Sequence, residues 1–382
     1  MKIALVSPYD YLYPGGVNNH IHHLLTEFRQ RGHNASVIAT IPSGKPVPAH
    51  TIPLVEHLMT FSSSGSLARI NLNPKVLWQI RDLLRKQAFD IVHIHNPPSP
   101  LVSIGFLQNR FAAPNTAFVG TFHQYRSNPD PTLKWGKPFL RRWISRLDGR
   151  IAVSEAASQF NQQFFPGSYQ IIPNGVDVAR FALQKHRSNV CQQSQPFTLL
   201  FVGRLEVRKG FPYLLAAFKH IKMAIPEARL VAVGPAQPET IKHYQTQINE
   251  NQLTGVEIIG EVCDAELPTY YQMADIFCAP SVDFESFGIV LLEAMAAGRP
   301  IVASDIPGYH SVMKHGHQGL FTEPKNVTAL ADAIITLSKD RVQRQKMGQE
   351  GRKHAQAFDW RIIGTRVLDY YTQILTQRRK QQ

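Results

Sequence analysis

The stretch Glu285-Ser-Phe-Gly-Ile-Val-Leu-Leu-Glu293 sets two carboxylates eight residues apart around an apolar run. Phe287, Val290, Leu291 and Ala294 recur at the spacing that buries one face of a helix, and the pattern predicts a helix over 286–297. Gly288 falls near its start, where a missing side chain admits a ligand to the backbone. A helix start offers unpaired N–H groups and the positive end of the dipole, both suited to phosphate. Glu293 sits deep in the apolar helix, where a carboxylate is costly unless something hydrogen-bonds to it. Together these features imply a ligand bearing both phosphates and hydroxyls, as a nucleotide sugar does.

Outward from this stretch, strands and helices alternate along the chain. The first half reads strand Ile3–Ser7, a loop ending Pro14-Gly15-Gly16, a helix carrying Val17, Ile21, Leu24, Leu25 and Phe28, and strand Ala35–Thr40. Helix 75–87 and strands Ile91–His95, Ala117–Phe122, Gly149–Ser154 and Tyr169–Ile172 follow. Residues 183–196 have few apolar side chains and read as a loop near a domain boundary. The pattern then restarts with strand Thr198–Val202, helix 211–223, strands Arg229–Val233 and Val256–Gly260, helix 266–274 and strand Ile276–Ala279. After helix 286–297 come strand Pro300–Ser304 and helix 327–338. The expected fold class is α/β: two doubly wound, mostly parallel, Rossmann-like domains, 1–178 and 179–358, facing a cleft.

At 382 residues the chain exceeds one typical core, which agrees with two domains. The 43% hydrophobic and 18% charged content is ordinary for a globular protein. No apolar run approaches the roughly 18 residues that span a bilayer. The chain opens as a strand without a signal-peptide layout, and Cys191, Cys263 and Cys278 form neither a disulfide framework nor a zinc pattern. Reducing cytoplasm is the expected compartment. Charge is uneven: residues 1–195 carry 20 Lys and Arg against 9 Asp and Glu, a net +11, while the remainder nets +2. A basic half implies an anionic partner, nucleic acid or an acidic membrane surface. The segment from Lys134 to Arg146 mixes cations with aromatics as interfacial segments do, although a solvated helix face with its aromatics in the core reads the same way.

Gly15-Gly16 stands between the first strand and helix, where backbone meets phosphate, or where a plain tight turn is needed. A Gly-x-Gly-x-x-Gly fingerprint is absent, and no acid follows the second strand, so a dehydrogenase is not expected. In Gly203-Arg204-Leu-Glu-Val-Arg208-Lys209-Gly210, three cations precede a helix. Cations at a helix start oppose its dipole, and a diphosphate leaving group supplies the reason for them. His123 follows a strand at its carboxyl end, where such folds bind ligands. His93 and His95 share one side of a strand, and His20 and His23 one helix face. Neither pair gains a carboxylate or cysteine, so packing or hydrogen bonding is expected and no metal is assigned, to these or to Asp283-Phe-Glu285. Read as hydrolytic, Glu285 and Glu293 would lie about 12 Å apart along a helix, against roughly 5–9.5 Å for glycosidase pairs. Donor binding is the better reading.

The ordered set Gly15-Gly16-Val, Pro173-Asn-Gly-Val-Asp177, Gly203-Arg204…Arg208-Lys209-Gly210 and Glu285…Glu293 resembles the retaining GT-B glycosyltransferases of glycosyl transferase group 1. Pro8-Tyr9…Pro14-Gly-Gly-Val17, Gly65-Ser66-Leu-Ala-Arg69, Thr121-Phe-His123, Cys278-Ala-Pro280 and the run from Glu285 to Gly298 are similar to the phosphatidylinositol α-mannosyltransferases. The resemblance implies that Gly15 and Gly16 approach the donor phosphate and that Arg204 and Lys209 bind the diphosphate. It puts Glu285 on the sugar hydroxyls, Ser286, Phe287, Gly288 and Ile289 as backbone donors, Glu293 on the ribose, and Val262 and Asp264 beside the base. It places His123 at the sugar–acceptor junction and Tyr9, Asn18, Ser66 and Arg69 near the acceptor. Residues around Lys75, Arg81, Arg85 and Lys86 match a membrane-contacting helix, and residues 359–382 a last helix crossing back to the first domain. Two positions depart from the pattern: Asn18 stands for a usual glutamine, and Leu267 for a basic residue near the base.

The expected activity is metal-independent, cofactor-free front-face transfer with retention, moving a hexose, mannose favoured, from GDP-mannose to an anionic lipid such as phosphatidylinositol. His123, Arg204, Lys209 and Glu285 would carry it, at the cytoplasmic membrane face. Transfer from a UDP-sugar (glucosyl or N-acetylglucosaminyl) to another lipid or a soluble acceptor is the alternative. Nucleic-acid binding is the remote one, and no nucleic-acid partner is expected because no recognised motif accompanies the basic half.

Overall fold

Ile3, Ala4, Leu5 and Val6 are all fully buried although they point alternately to opposite sides of one strand. Only a sheet covered on both faces does this. Ile3 and Leu5 pack in one cluster and Ala4 and Val6 in another. The computed structural model describes residues 1–13, 15–63, 66–126, 131–182, 196–283 and 285–381. It divides into two compact units, Met1–Gly175 with Trp360–Gln382, and Val176–Asp359.

The first unit runs β1 (Lys2–Asp10), α1 (Gly16–Gln30), β2 (Asn34–Thr40), β3 (Thr51–Leu54), β4 (Leu58–Ser63), β5 (Ser66–Asn71) and α2 (Val76–Gln87). It continues with β6 (Ile91–His95), α3 (Val102–Gln108), β7 (Ala117–Phe122), α4 (Pro131–Ile144), β8 (Gly149–Ala152), α5 (Glu155–Gln162) and β9 (Gln170–Ile171). Its sheet has the order β3-β2-β1-β6-β7-β8-β9, parallel throughout. The β4–β5 hairpin is antiparallel and attaches to β1 through the pairing of Tyr9 with Ile70.

The second unit runs α6 (Val178–Phe181), β10 (Thr198–Val202), α7 (Phe211–Ala224), β11 (Arg229–Val233), α8 (Pro238–Glu250), β12 (Val256–Gly260) and α9 (Leu267–Met273). Then come β13 (Ile276–Ala279), α10 (Ile289–Ala296), β14 (Ile301–Ser304), α11 (Pro307–His310), β15 (Gly319–Thr322), α12 (Val327–Lys339) and α13 (Arg341–Ala355). The sheet order is β12-β11-β10-β13-β14-β15, again parallel. The chain closes with α14 (Trp360–Gln381), which returns to the first unit. There Ile363, Val367, Tyr371 and Ile374 join Ile3, Leu5 and the α1 residues Ile21, Leu24 and Phe28 in one core.

In each sheet the chain builds outward from a central first strand and then crosses to that strand's other side: β1 lies between β2 and β6, and β10 between β11 and β13. Chain direction across the sheet reverses there, which opens a crevice at the carboxyl ends of those strands. The loops after β1, β6, β10 and β13 are thus the places to look for a ligand.

Two expectations change. The helix expected over 286–297 begins at Ile289, because Gly288 caps it in a left-handed conformation, φ +92°, that breaks helical continuity upstream. Glu285 therefore stands in a loop, and the rise of one continuous helix does not measure its distance from Glu293. The β4–β5 hairpin was not foreseen, since its strands carry no strict apolar alternation. The expected linker lies almost wholly outside the described residues, as does Cys191.

Candidate active site

In the second unit the site is built on the loop that leaves β10. A short 3-10 turn, Val207–Lys209, carries Arg208 and Lys209 into Gly210, which caps α7. Gly210 takes φ +81°, and a Cβ there would lie 1.8 Å from the Pro280 carbonyl oxygen. Glycine is thus required both by conformation and by the close approach of the β13 loop. Val282 N–H donates to the Arg208 carbonyl (2.9 Å), which fastens the two loops together.

That fastening brings Lys209 Nζ against Glu285 Oε2 in a largely buried ion pair. Glu206 holds two further cations, at 3.3 Å from Arg204 Nε and 3.2 Å from an Arg208 guanidinium nitrogen. Arg204, Arg208 and Lys209 are thus gathered with Glu206 and Glu285. Burial pushes the Glu285 carboxyl up, but the Lys209 ammonium and its hydrogen bond, with the charges of Arg208 and Arg204, outweigh it and hold it below the usual glutamate range. Glu285 is an ionised hydrogen-bond acceptor.

Ahead of α10, Phe287 is 1% exposed and packs against Phe358, so its ring belongs to the core. Ser286 and Ile289 are half-buried and flank Gly288 at the helix start. Glu293 Oε2 accepts a hydrogen bond from Tyr271 Oη (2.7 Å). Burial raises the Glu293 carboxyl, against the pull of that bond and of Arg180. Burial likewise drives the Tyr271 hydroxyl well up, so it stays a donor. Val262 and Asp264 follow β12; Val262 is half-buried, and the exposed Asp264 has Arg180 at 3.8 Å.

In the first unit, His123 lies just beyond β7 and its backbone N–H donates to Asn96 Oδ1 (3.1 Å). The Asn96 amide donates in turn to Tyr9 Oη (2.8 Å), so one residue joins two expected site residues. Asn96 takes φ +49°, a left-handed conformation that asparagine tolerates and that turns its amide between them. His95 Nδ1 meets His123 Nε2 at 3.0 Å, and His20 Nδ1 meets Asn174 Oδ1 at 2.8 Å. Deeper in, His93 contacts Thr121 Oγ1 and Tyr371 Oη, each at 2.6 Å. Burial holds His20 down to about 4 and His93 to about 3, and takes His95 and His123 well below the ordinary histidine range. All four are neutral imidazoles at physiological pH.

The loop after β1 is held by Asn18. Its amide donates to the Asp10 (2.8 Å) and Tyr13 (2.9 Å) carbonyls and its oxygen accepts from Ser7 Oγ (2.8 Å). The geometry gives Asn18 a loop-positioning role. Gly15 caps α1 in ordinary extended backbone, and open space lies where its side chain would be; Gly16 begins the helix. Arg69, on β5, reaches Asp10 Oδ2 (3.3 Å) and lies over the Tyr13 ring. Ser66 heads the same strand, and its side chain lies outside the described structure.

Sequence reasoning missed Glu206, Tyr271 and Asn96. An acid between the cations of Arg204-Leu-Glu-Val-Arg208 was a visible signal for Glu206. Nothing local marks Tyr271, which meets Glu293 only through the packing of α9 on α10. His20 was seen only as a neighbour of His23 on a helix, not as a partner of His95 and His123.

The Glycosyltransferase Family 4 pattern matches residues 14–180, and the Glycosyl transferases group 1 pattern residues 184–354. The chain is 30% identical to a phosphatidyl-myo-inositol mannosyltransferase of Mycobacterium leprae, covering 100% of this chain and 99% of that one. It is also 30% identical to one of Propionibacterium freudenreichii, over 97% and 95%. Among solved structures, sucrose-phosphate synthase from Thermosynechococcus elongatus superposes with a TM-score of 0.80 at 21% identity, covering 98% of this chain and 99% of that one. Anabaena HepE in complex with UDP gives 0.78 at 21%, covering 98% and 100%. These two share the fold.

Proposed function

We propose, from the premise that this chain belongs to the group 1 glycosyltransferases, that it moves a mannosyl residue from GDP-mannose to an anionic inositol lipid with retention of configuration. Membership makes it an enzyme that transfers a sugar. The narrower reading rests on one observation: relatives about 30% identical over its whole length are phosphatidyl-myo-inositol mannosyltransferases.

The residues support a front-face route. Lys209 and Arg204 neutralise the diphosphate as its bond to the sugar breaks, where preorganised cations in a buried site act most strongly. Lys209 has three N–H donors, so it keeps Glu285 while it binds phosphate. Glu285, ionised, accepts hydrogen bonds from the sugar hydroxyls, the N–H groups at the start of α10 serve the sugar or phosphate, and Glu293 holds the ribose. Val262 and Asp264 flank the base. His123, neutral and with its backbone held by Asn96, lies at the acceptor side with Tyr9, while Arg69 and Ser66 serve the acceptor headgroup. Trp78, 73% exposed on α2 beside Lys75, Arg85 and Lys86, gives that basic helix an apolar anchor for a lipid surface.

Leu267 at the start of α9 keeps a UDP-sugar donor as the second reading, because the family's pattern has a basic residue there. A donor panel of GDP-mannose, UDP-glucose and UDP-N-acetylglucosamine, assayed for nucleotide release with and without phosphatidylinositol vesicles, tests both. The expected result is release from GDP-mannose that depends on the lipid. Release only from a UDP-sugar overturns the donor, and release indifferent to vesicles overturns the acceptor.

A further inference from the structure

His20 from α1, His95 from the end of β6 and His123 beyond β7 each bring a ring nitrogen to within 4.8 Å of the other two. Sugar transfer asks a role only of His123. The Asn174 oxygen can only accept, so His20 Nδ1 carries the proton and Nε2 keeps its lone pair. Orientation of this kind, by a second nitrogen donating to an oxygen, is how metal-binding histidines are fixed. His95 and His123 share one proton across 3.0 Å. His95 Nε2 is fully buried without a hydrogen-bond partner among the described residues. It is the second nitrogen of that ring, not the one that meets His123, and it stands outside the ligand set.

We propose that His20, His95 and His123 form a binding site for a borderline divalent transition metal, zinc foremost, and that the ion inhibits transfer by capturing the His123 ring. Neutral imidazoles suit zinc, nickel or copper, whereas magnesium and calcium take oxygen ligands. Three histidines leave a fourth tetrahedral position for water or substrate oxygen. Zinc–nitrogen bonds of about 2.0–2.1 Å set the ligand atoms roughly 3.3 Å apart. The His95–His123 pair is already near that separation, and His20 offers its ring nitrogen within 4.8 Å of both. The proton shared by the pair moves to the far nitrogen of its ring, and no proton leaves the site.

Binding stands on this geometry alone; inhibition rests on the role proposed above for His123. The test takes the whole chain, freed of metal by chelator, and titrates Co²⁺ by absorption and Zn²⁺ by competition. One ion per chain with tetrahedral cobalt bands, displaced by zinc, is expected. Asn174→Ala, which removes the acceptor at the second nitrogen of His20, weakens binding by roughly 10–100-fold. His95→Gln abolishes it, and His317→Gln, at an exposed pair with Glu350, leaves it unchanged. Circular dichroism checks each variant for folding, and zinc raises the Tm of the native chain more than that of Asn174→Ala. Equal zinc affinity in the native chain and both Asn174→Ala and His95→Gln overturns the site, as does the absence of a tetrahedral cobalt spectrum. Zinc bound there with turnover unchanged overturns the inhibition and the role of His123, whereas normal turnover with no zinc binding overturns the site and leaves the transfer reading intact.

Discussion

Lys209 and Glu285 are 76 residues apart in sequence and form one ion pair. If Lys209 binds the diphosphate as proposed, Lys209→Ala lowers turnover about 100-fold or more, with circular dichroism unchanged. Near-normal turnover would remove Lys209 from the diphosphate role. The same pair predicts a pH dependence. The folded Glu285 carboxyl lies below its ordinary value near 4.5, so its contribution to stability is present above that value and is lost as pH falls through the lower folded value. Native and Glu285→Gln chains should therefore differ most in Tm at neutral pH and converge as the medium is made strongly acidic. A constant gap across the titration would contradict the linkage. The cations and both glutamates were legible in the sequence, as was the need for a phosphate-bearing ligand. Their partners Glu206 and Tyr271 were not assigned, because contacts across loops and helices follow from strand order and not from spacing along the chain.

At the scale of the element, α2 shows how a basic helix divides its faces. Val76, Ile80 and Leu84 are buried, while Trp78 points outward. The family resemblance marked the helix through its cations but passed over Trp78, whose exposure no sequence period required. On the proposal that α2 contacts a lipid surface, Trp78→Ala is expected to weaken binding to anionic vesicles about 10-fold or more, through lost apolar area, and to leave nucleotide release without lipid unaltered. Equal vesicle affinity in sedimentation would exclude α2 as the contact. The α10 boundary teaches the reverse lesson. Apolar spacing predicted helix through Phe287, but the left-handed Gly288 decided where helix begins, and Phe287 is buried without being helical.

At the scale of the molecule, α14 completes the core of the first unit from the far end of the chain. Trp360 is 6% exposed and edges onto His20, Tyr371 reaches His93, and Arg378 meets Asp148 at 2.8 Å. Ending the chain after Asp359 would bare the faces of Ile3, Leu5 and Ile21 that this helix covers. The shortened chain is expected to aggregate or to bind a hydrophobic dye. A milder change, Tyr371→Phe, leaves a His93 nitrogen without its hydroxyl and should lower stability by about 1–3 kcal/mol in urea unfolding. A shortened chain as stable and soluble as the intact one would show that α14 is dispensable.

Alternation of apolar runs with helical spacing determined by itself that this is a doubly wound α/β chain. The local pattern of cations, glycines and carboxylates pointed to the ligand class. Such signals are local: a strand needs its own apolar residues, and a phosphate-binding turn its own glycines and cations. Tertiary structure alone decided that Lys209 neutralises Glu285, that Asn96 joins Tyr9 to His123, and that histidines from three elements meet in one cluster. The physical reason is that parallel sheets pair strands distant in sequence, so side chains at their carboxyl ends become neighbours only when strand order is set.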